Sequence, residues 1–351
     1  MLNAFEGQVK QADGQKPKVS FAGILAESIL SEDKLKNLDI PAATKYLGPI
    51  FKGSLGQIYG PRGIGKTFFR DAISICLTRN LNLGPLKTGI PASVLIVDAE
   101  MPLHLLKTRQ ALSQSAPVPL KPMEMISNEY LYQAGHPAIN LLDPAWRDAF
   151  LELMESNNGW DVIIFDNLSS FMPGSKENDS EAWGPVNGFL LKLRWMGKAV
   201  IFIHHAGKSG DQRGTSARED QLDYVFKLSL PTGYDPENGC KFDCTLTKAR
   251  GIYGAEAAPF NFEIVDEHAG MTWTTSSQKE NKKNAIITSL GEGLTPAEIC
   301  SQLKIKKAYV SRTKAWGISK GYLDKKTSGF TPLGEEVYGE GLQKKFTVYT
   351  P

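Results

Sequence analysis

Cysteine is scarce in this sequence, and the scarcity excludes one class of protein. The chain has 351 residues and four cysteines, too few to staple so long a chain in the way that small secreted domains are stapled. The first 20 residues are polar and lack the apolar segment of a secretion signal. We therefore expect a protein of the reducing cytoplasm.

Long hydrophobic runs are missing as well. The longest apolar runs, such as Val94–Val97 and Ala199–Ile203, have the length of a strand, whereas a membrane-spanning helix needs about 20 apolar residues. We therefore expect no membrane partner. The hydrophobic fraction of 41% and the charged fraction of 22% are those of a globular protein, which excludes a mainly disordered chain.

A large net charge is also absent, but the charge is unevenly distributed. The formal charge at pH 7 is +2, yet residues 278–351 contain 13 lysines and arginines against 7 acidic residues. A basic terminal region is suited to attract nucleic acid over a distance. The alternative for this segment is a solvated lysine-rich surface.

Short β-rich runs alternate with helical patterns over the first two thirds of the chain. The predicted strands are Leu55–Tyr59, Ser93–Val97, Val162–Phe165, Ala199–Ile203 and Tyr224–Leu230, and the predicted helices are Lys66–Leu81, Leu103–Leu112 and Glu181–Met196. Such alternation predicts an α/β fold with a mainly parallel sheet and helices on both faces. Turn-rich segments then surround Lys241–Thr247 and Phe260–Val265, which we expect to extend the sheet edge in antiparallel fashion.

The chain is longer than a typical single domain, and changes in composition and in the predicted secondary structure divide it into four parts. We expect a flexible arm at 1–20, an α/β domain at 21–275 that opens with an amphipathic helix over Phe21–Lys36, a polar linker at 276–283, and a small helical domain with a tail at 284–351.

The strongest motif lies between the first predicted strand and the first helix of the α/β domain. Residues 60–67 read Gly-Pro-Arg-Gly-Ile-Gly-Lys-Thr, a full match to the phosphate-binding loop (P-loop). Backbone N–H groups of such a loop surround phosphates, the lysine reaches the β- and γ-phosphates, and the threonine hydroxyl faces Mg²⁺. The sequence therefore predicts ATP and Mg²⁺ as cofactors. The predicted nucleotide-binding residues are Gly60, Pro61, Arg62, Gly63, Ile64, Gly65, Lys66, Thr67, Phe68 and Asp166.

Two carboxylates follow other predicted strands. Asp166 ends the apolar run Val162–Phe165, and Glu100 follows the run Val94–Val97. Ligands of parallel sheets gather at the carboxyl ends of the strands. We therefore expect Asp166, with Thr67, to hold Mg²⁺, and Glu100 to orient and deprotonate the attacking water. A turn aspartate and a helix-start acid are the alternatives.

A pair of histidines ends a fourth strand. His204 and His205 follow Ala199–Ile203 and precede a glycine-bearing basic loop with Lys208, Arg213 and Arg218. No matching cysteine or histidine set lies nearby in sequence, so a metal site is disfavoured. A sensor that hydrogen-bonds the γ-phosphate is the favoured interpretation, with structural polar groups as the alternative.

The order of these motifs resembles the RecA-like ATPases, and within them the plasmid RepA-type hexameric replicative helicases. Especially similar are Ile203-His204-His205-Ala206 and Arg213-Gly214-Thr215-Ser216. The resemblance covers residues 53–264, and it implies a ring, a homohexamer, whose ATP sites lie between subunits.

The resemblance also assigns roles to particular residues. It implies that Glu100 is the catalytic base, that Lys66 is catalytic, and that His205 links the γ-phosphate to the DNA-facing loop 207–218. Lys248 and Arg250 resemble the basic pair that related helicases insert into a neighbour's ATP site. A solvated pair on an edge strand is the alternative for Lys248 and Arg250.

The terminal domain has helix-turn-helix spacing. Thr295-Pro296-Ala297-Glu298 predicts a helix start, a further helix is expected from Lys306 to Trp316, and the segment Tyr322–Phe330 would form a wing. Such winged-helix modules bind duplex DNA or dock proteins, and both options stay open. The candidate DNA-binding residues of this domain are Lys306, Lys307, Arg312 and Lys314.

Together these features predict an ATP-dependent helicase or translocase that acts on single-stranded DNA during replication of a plasmid, phage or other mobile element, with other replication proteins as candidate partners. The alternative is an ATP-regulated DNA-binding regulator or replication adaptor that unwinds nothing. A small-molecule kinase shares only the P-loop and fits the other motifs poorly.

Overall fold

The computed structural model describes residues 20–157, 159–175, 180–205, 220–231, 234–267 and 270–339. The chain divides into two units, residues 1–42 and residues 43–351. The predicted arm, apart from Ser20, lies outside the described residues, as does the predicted DNA loop with Lys208, Arg213 and Arg218.

The described part of the first unit consists of two short helices, α1 (Phe21–Glu27) and α2 (Glu32–Asn37). The single helix predicted over Phe21–Lys36 is thus interrupted. Ser31 is the reason, because its side chain accepts a hydrogen bond from the Lys34 N–H and starts a new helix. Neither helix buries a residue.

The second unit is built on a nine-stranded sheet. Its strands, with the small hairpin β1 (Lys45–Leu47) and β2 (Ile50–Phe51) preceding them, are β3 (Leu55–Gly60), β4 (Val94–Asp98), β5 (Met123–Ser127), β6 (Val162–Asp166), β7 (Ala199–His205), β8 (Tyr224–Ser229), β9 (Lys241–Ala249), β10 (Phe260–Glu267) and β11 (Gly270–Ser277). Their spatial order is β11-β10-β9-β8-β3-β7-β6-β4-β5. Strands from β8 to β5 in this order are parallel.

Helices cover both faces of the parallel part. They are α3 (Lys66–Arg79), α4 (Leu103–Gln114), α5 (Asn128–Gln133), α6 (Pro144–Ser156) and α7 (Ser180–Trp195). Side chains of α3 pack on one face of the sheet, and side chains of α6 and α7 pack on the other. The strands are buried on both faces, as their continuous apolar sequences require. This is the predicted α/β fold, a RecA-like P-loop core in which β7 separates the P-loop strand β3 from β6.

Beyond β8 the sheet turns antiparallel, as predicted from the turn-rich sequence. Its strands bring a ring of aromatic side chains onto α3. Phe69 of that helix is fully buried and lies 5.5–5.7 Å, centroid to centroid, from the rings of Phe226, Phe242 and Phe262. The antiparallel strands therefore anchor the helix that follows the P-loop.

The terminal part consists of four helices, α8 (Gln278–Gly291), α9 (Pro296–Leu303), α10 (Lys307–Ser319) and α11 (Pro332–Tyr338). They share a core of their own that includes Ile287, Ile299 and Val310. Helix α9 begins with a complete capping box between Thr295 and Glu298, as the sequence predicts.

Residues 276–283, expected to be a linker, are regular structure instead. They complete β11 and begin α8 without an intervening loop. The segment is polar but consists largely of good helix formers, so its polarity indicates a solvated helix rather than a break. Among the described residues, no helix combines the length and the apolarity needed to cross a bilayer.

Candidate active site

The P-loop connects the buried strand β3 to the helix α3. Gly63 and Gly65 have φ angles of 76° and 103°, which only glycine adopts readily. A side chain at Gly65 would also collide with the thiol of Cys240. The loop therefore needs both glycines to wrap closely around the N-terminus of α3, where backbone N–H groups attract phosphate.

The Lys66 side chain is buried within this loop. Its Nζ atom donates hydrogen bonds to the carbonyl oxygens of Gly60 (3.1 Å) and Pro61 (2.8 Å). Burial lowers the pKa of Lys66 from 10.5 to about 8, although the carboxylates of Asp166 and Glu100 oppose this shift. A bound polyphosphate would favour the charged form of this amine.

A buried ion cluster lies beside the P-loop. Asp98 and Asp166 end adjacent parallel strands and are partners in register. The guanidinium of Arg70, on α3, donates from Nη1 to Asp98 Oδ2 (2.5 Å) and Asp166 Oδ2 (2.8 Å), and from Nε to Asp71 Oδ1 (2.9 Å). Burial raises the pKa of Asp166 to about 6, against the opposing effect of Arg70. Asp166 thus lies at the predicted sheet edge with a cationic partner of its own.

A second group of polar side chains stands at the same edge, consisting of Glu100, Asn167 and His205, and Glu100 is its most exposed member. The Asn167 side-chain amide donates to Glu100 Oε2 and lies 3.1 Å from His205 Nε2. The distance from His205 Nε2 to Glu100 Oε2 is 3.8 Å. Half of the Glu100 side chain, 53%, is exposed. The structure therefore brings Glu100 and His205, which are 105 residues apart in sequence, into one cluster.

The other histidine of the pair points elsewhere. His204 is buried, and its Nδ1 atom lies 3.5 Å from the Ser169 hydroxyl. Neighbouring residues of a strand face opposite sides of the sheet. His204 is therefore packed inside the protein, while His205 lies with Glu100 and Asn167.

The oxygen donors at this edge fit a magnesium ion. Mg²⁺ in nucleotide sites is held by one or two protein oxygens, phosphates and water rather than by a protein cage. The Thr67 hydroxyl and the Asp166 carboxylate are such donors. No cluster of three or more histidine, cysteine or acidic side chains arranged for a metal occurs in the part of the chain that the structure describes.

Lys248 and Arg250 lie at the end of the sheet opposite to the P-loop, near the beginning of the parallel strands. Lys248 pairs in register with Val225, and Val225 pairs with Gln57, near the start of the P-loop strand. The Lys248 amine donates to the Asp220 carbonyl, and Arg250 forms an ion pair of 3.4 Å with Asp223. Both basic residues are therefore remote from the P-loop of their own chain.

The candidate DNA-binding residues of the terminal domain lie at the start and in the first half of α10. Lys306 is its N-cap, and Lys306, Lys307 and Arg312 are exposed, while Lys314 is half-buried. An isolated β-bridge joins Leu323 to Phe330 and closes a short hairpin with Lys325 and Lys326 exposed near its tip. Three of the four predicted residues lie on this helix and Lys306 caps it, and the winged-helix assignment stays a prediction.

The P-loop follows a central parallel strand, and Asp166 ends the next strand but one. Together with Glu100 beside them, these features define a P-loop ATPase of RecA-like type. The model of the AAA domain matches residues 25–211, more than half of the chain. The chain belongs to the AAA-domain family.

The chain is also similar to a solved structure of low sequence identity. No curated protein sequence matches the chain significantly. Among solved structures, the flagellar accessory protein FlaH from Methanocaldococcus jannaschii is similar, with 17% identity and a TM-score of 0.41. The similarity covers 64% of this chain and 91% of FlaH.

Sequence reasoning missed three residues of this edge. Asn167 follows the predicted Asp166 directly, Asp98 follows the predicted strand Ser93–Val97, and Arg70 lies one helical turn after Lys66. A signal for Arg70 was present, because an arginine inside the apolar stretch of a helix that faces a sheet needs a buried acidic partner. The catalytic and binding roles assigned from the sequence stay predictions.

Proposed function

We propose that this ATPase is a ring-forming DNA translocase or helicase, with each ATP site shared between two copies of the chain. ATP would bind to the P-loop at Gly60–Thr67. Glu100 would accept a proton from the attacking water, and His205 would report the state of the γ-phosphate through its contact with Asn167. This agrees with the expectation raised by the RepA-type resemblance.

Mg²⁺, held by Thr67 and Asp166 when bound, would neutralise charge on the phosphates and orient them. The protein's part is to position the groups around it. Lys66 offers a charged amine close to the loop, and Glu100 presents an exposed carboxylate oxygen next to a hydrogen-bond donor, the Asn167 amide. This is the arrangement that phosphoryl transfer to water requires.

The observation that carries the proposal is the position of Lys248 and Arg250. Arg250 is level with the start of β3, since its N–H donates to the Asp223 carbonyl and Asp223 Oδ2 accepts the Leu55 N–H. The P-loop begins five residues later, about 17 Å along the strand. The pair cannot reach its own P-loop. The Arg250 side chain is 57% exposed, so its guanidinium can enter the ATP site of a second copy. There it would stabilise the charge of the transition state.

DNA as the substrate is supported by charge. The basic surface of α10 and its hairpin suits contact with phosphates, and residues 278–351 carry most of the excess positive charge. The predicted channel loop at 207–218 adds Lys208, Arg213 and Arg218 to the candidate DNA contacts.

Mixing two inactive variants tests the shared site. Lys66→Ala removes the phosphate-binding amine, and Arg250→Ala removes the guanidinium, so each homogeneous protein should lose ATP turnover by at least about 10²-fold. In a mixed ring some interfaces combine an intact P-loop with an intact Arg250. An equal mixture should therefore recover up to about a quarter of wild-type turnover, because that share of random interfaces is complete.

Three further measurements complete this test. Arg194→Ala, which removes the other ion-pair partner of Asp223, is the matched control and should retain turnover. The solution mass should increase with ATP, and single-stranded DNA should stimulate phosphate release. Full turnover by a monomer that is indifferent to DNA, or an Arg250→Ala variant as active as wild type, would refute the proposal.

A DNA-binding regulator is the second candidate, and the hairpin closed by the Leu323–Phe330 bridge favours it. Such a hairpin beside a basic helix is typical of modules that select duplex DNA. A forked-duplex strand-separation assay, run beside a gel shift on duplex DNA, discriminates between the two. Strand separation supports the helicase, and tight sequence-dependent duplex binding without separation supports the regulator.

A further inference from the structure

Arg70 is almost completely buried at the P-loop edge, with 1% of it exposed. A buried guanidinium is stable only when its charge and its N–H groups are matched by partners. Here three carboxylates surround it, those of Asp71, Asp98 and Asp166. The cluster contains one positive charge against three negative charges, so Arg70 neutralises only part of it.

The contacts of Asp98 extend this cluster to the catalytic turn. Its Oδ2 atom accepts from Arg70, while its Oδ1 atom accepts the backbone N–H groups of Glu100 (3.0 Å) and Met101 (2.8 Å). The carboxylate therefore clamps the turn that carries Glu100. Arg70 fixes the orientation of the carboxylate, and through it the orientation of the turn.

The other contacts of Arg70 join this turn to the P-loop. Arg70 lies four residues after Lys66 on α3, which is one helical turn. The same Nη1 atom that bonds Asp98 bonds Asp166, the aspartate predicted to face Mg²⁺. The rigid guanidinium of Arg70 thus connects α3 to the end of β4 and to the end of β6. Lysine could not replace it, because a single amine lacks the planar fork that spans three carboxylates.

We propose that Arg70 is a positioning residue of ATP hydrolysis, which holds the Glu100 turn and the Asp166 carboxylate in fixed places relative to the P-loop. The proposal rests on the ATPase activity and is independent of DNA translocation. Arg70 is not placed in contact with the nucleotide. A change at Arg70 should therefore affect turnover more than nucleotide binding.

Arg70→Lys is the decisive variant, and Arg79→Lys is its matched control. Arg79 lies on the same helix and is also buried, but its guanidinium bonds Pro117, Thr78 and Ser113 rather than the acidic cluster. Displacing a catalytic group by about 1 Å costs on the order of 10²-fold in rate. Arg70→Lys should therefore lower kcat by about 10²-fold and change the KM for ATP less than threefold, while Arg79→Lys should keep both.

Hydrogen exchange of the protein without nucleotide supplies a readout that does not depend on turnover. The Glu100 and Met101 amides should exchange about tenfold faster in Arg70→Lys, since the clamp that protects them loosens, and at the wild-type rate in Arg79→Lys. If Arg70→Lys does not fold, Asp98→Asn tests the same connection from its other end, with both effects expected.

Wild-type kcat together with wild-type exchange at residues 100–101 would overturn the proposal, as would equal effects of Arg70→Lys and Arg79→Lys. Absence of ATP turnover in the wild-type protein would refute the proposed function instead. The exchange comparison would then still decide whether Arg70 holds the turn.

Discussion

Two clusters of polar side chains share the edge of the sheet beside the P-loop, and they differ in burial. The Arg70 cluster, with Asp98 and Asp166, is enclosed, whereas Glu100 is half exposed beside Asn167 and His205. Asp98 and Glu100 are only two residues apart. The last residues of β4 and β6 thus belong to a buried scaffold, whereas Glu100, two residues after the end of β4, is exposed.

This difference leads to different expectations for mutation. A buried ion cluster loses stability when one partner is removed, since the remaining charge stays desolvated. An exposed carboxylate contributes little to stability and can be optimised for reaction. Variants of Glu100 should therefore affect turnover without affecting folding, and the first prediction below tests that separation.

Glu100→Gln should have the largest effect. The amide keeps the size of the side chain but cannot accept the proton of the attacking water, so kcat should fall by about 10²- to 10⁴-fold. Nucleotide affinity should stay within threefold of wild type, and the melting temperature should be unchanged. Phosphate release, fluorescent-nucleotide titration and calorimetric melting check these outcomes. Glu155→Gln, an exposed change on α6, is the control; a Glu100→Gln protein with normal kcat would exclude Glu100 as the base.

Asn167→Ala should have an intermediate effect. Its amide holds Glu100 Oε2 and contacts His205, so its loss frees the carboxylate to rotate without removing it. We expect kcat to fall by about tenfold, roughly the worth of one lost hydrogen bond to a charged group. Steady-state kinetics at saturating ATP measure this loss. A decrease as large as that of Glu100→Gln would contradict a mere orienting role.

The smallest predicted effect is the uptake of a fraction of a proton when nucleotide binds. Because the pKa of Lys66 is lowered to about 8 and bound phosphate restores the charged form, nucleotide binding near pH 8 should take up part of a proton. Affinity should then decrease by up to about tenfold per pH unit above pH 8. Titration calorimetry in two buffers of different ionisation enthalpy measures the uptake. A heat of binding that is independent of the buffer would show that Lys66 stays fully charged without nucleotide.

The same lowered pKa affects the stability of the nucleotide-free protein in the opposite direction. Lysine in the unfolded chain keeps its proton up to pH 10.5, whereas the folded chain releases it above about pH 8. The unfolded state therefore binds more protons in this window, and the contribution of Lys66 to the free energy of unfolding rises with pH from about 8 to 10.5.

The P-loop edge was largely predictable from the sequence, because each of its elements leaves a local pattern. The motif at 60–67 and the apolar runs before Asp166 and Glu100 are visible without tertiary information. Arg70 and Asp98 were not predicted, since their pairing depends on which strand lies beside which helix. Hydrophobic periodicity gives the elements but not their neighbours.

Both edge strands of the nine-stranded sheet also escaped prediction, and for a physical reason. β5 and β11 are the edge strands of the sheet, so both carry polar residues that a buried strand would lack. β11 reads Gly-Met-Thr-Trp-Thr-Thr-Ser-Ser, where β-branched threonines are the remaining signal of extended structure. A polar segment in this chain can therefore be an edge strand rather than a loop.

The ring of phenylalanines around Phe69 has a consequence for protein engineering. The segment matched by the AAA domain ends at residue 211, yet Phe226, Phe242 and Phe262 all come after it. A shortened chain that stops at the family boundary would leave Phe69 facing water, at a cost of about 1.5–3 kcal/mol for that side chain alone. Chimeras that exchange the ATPase between relatives should therefore carry everything through residue 277 as one module.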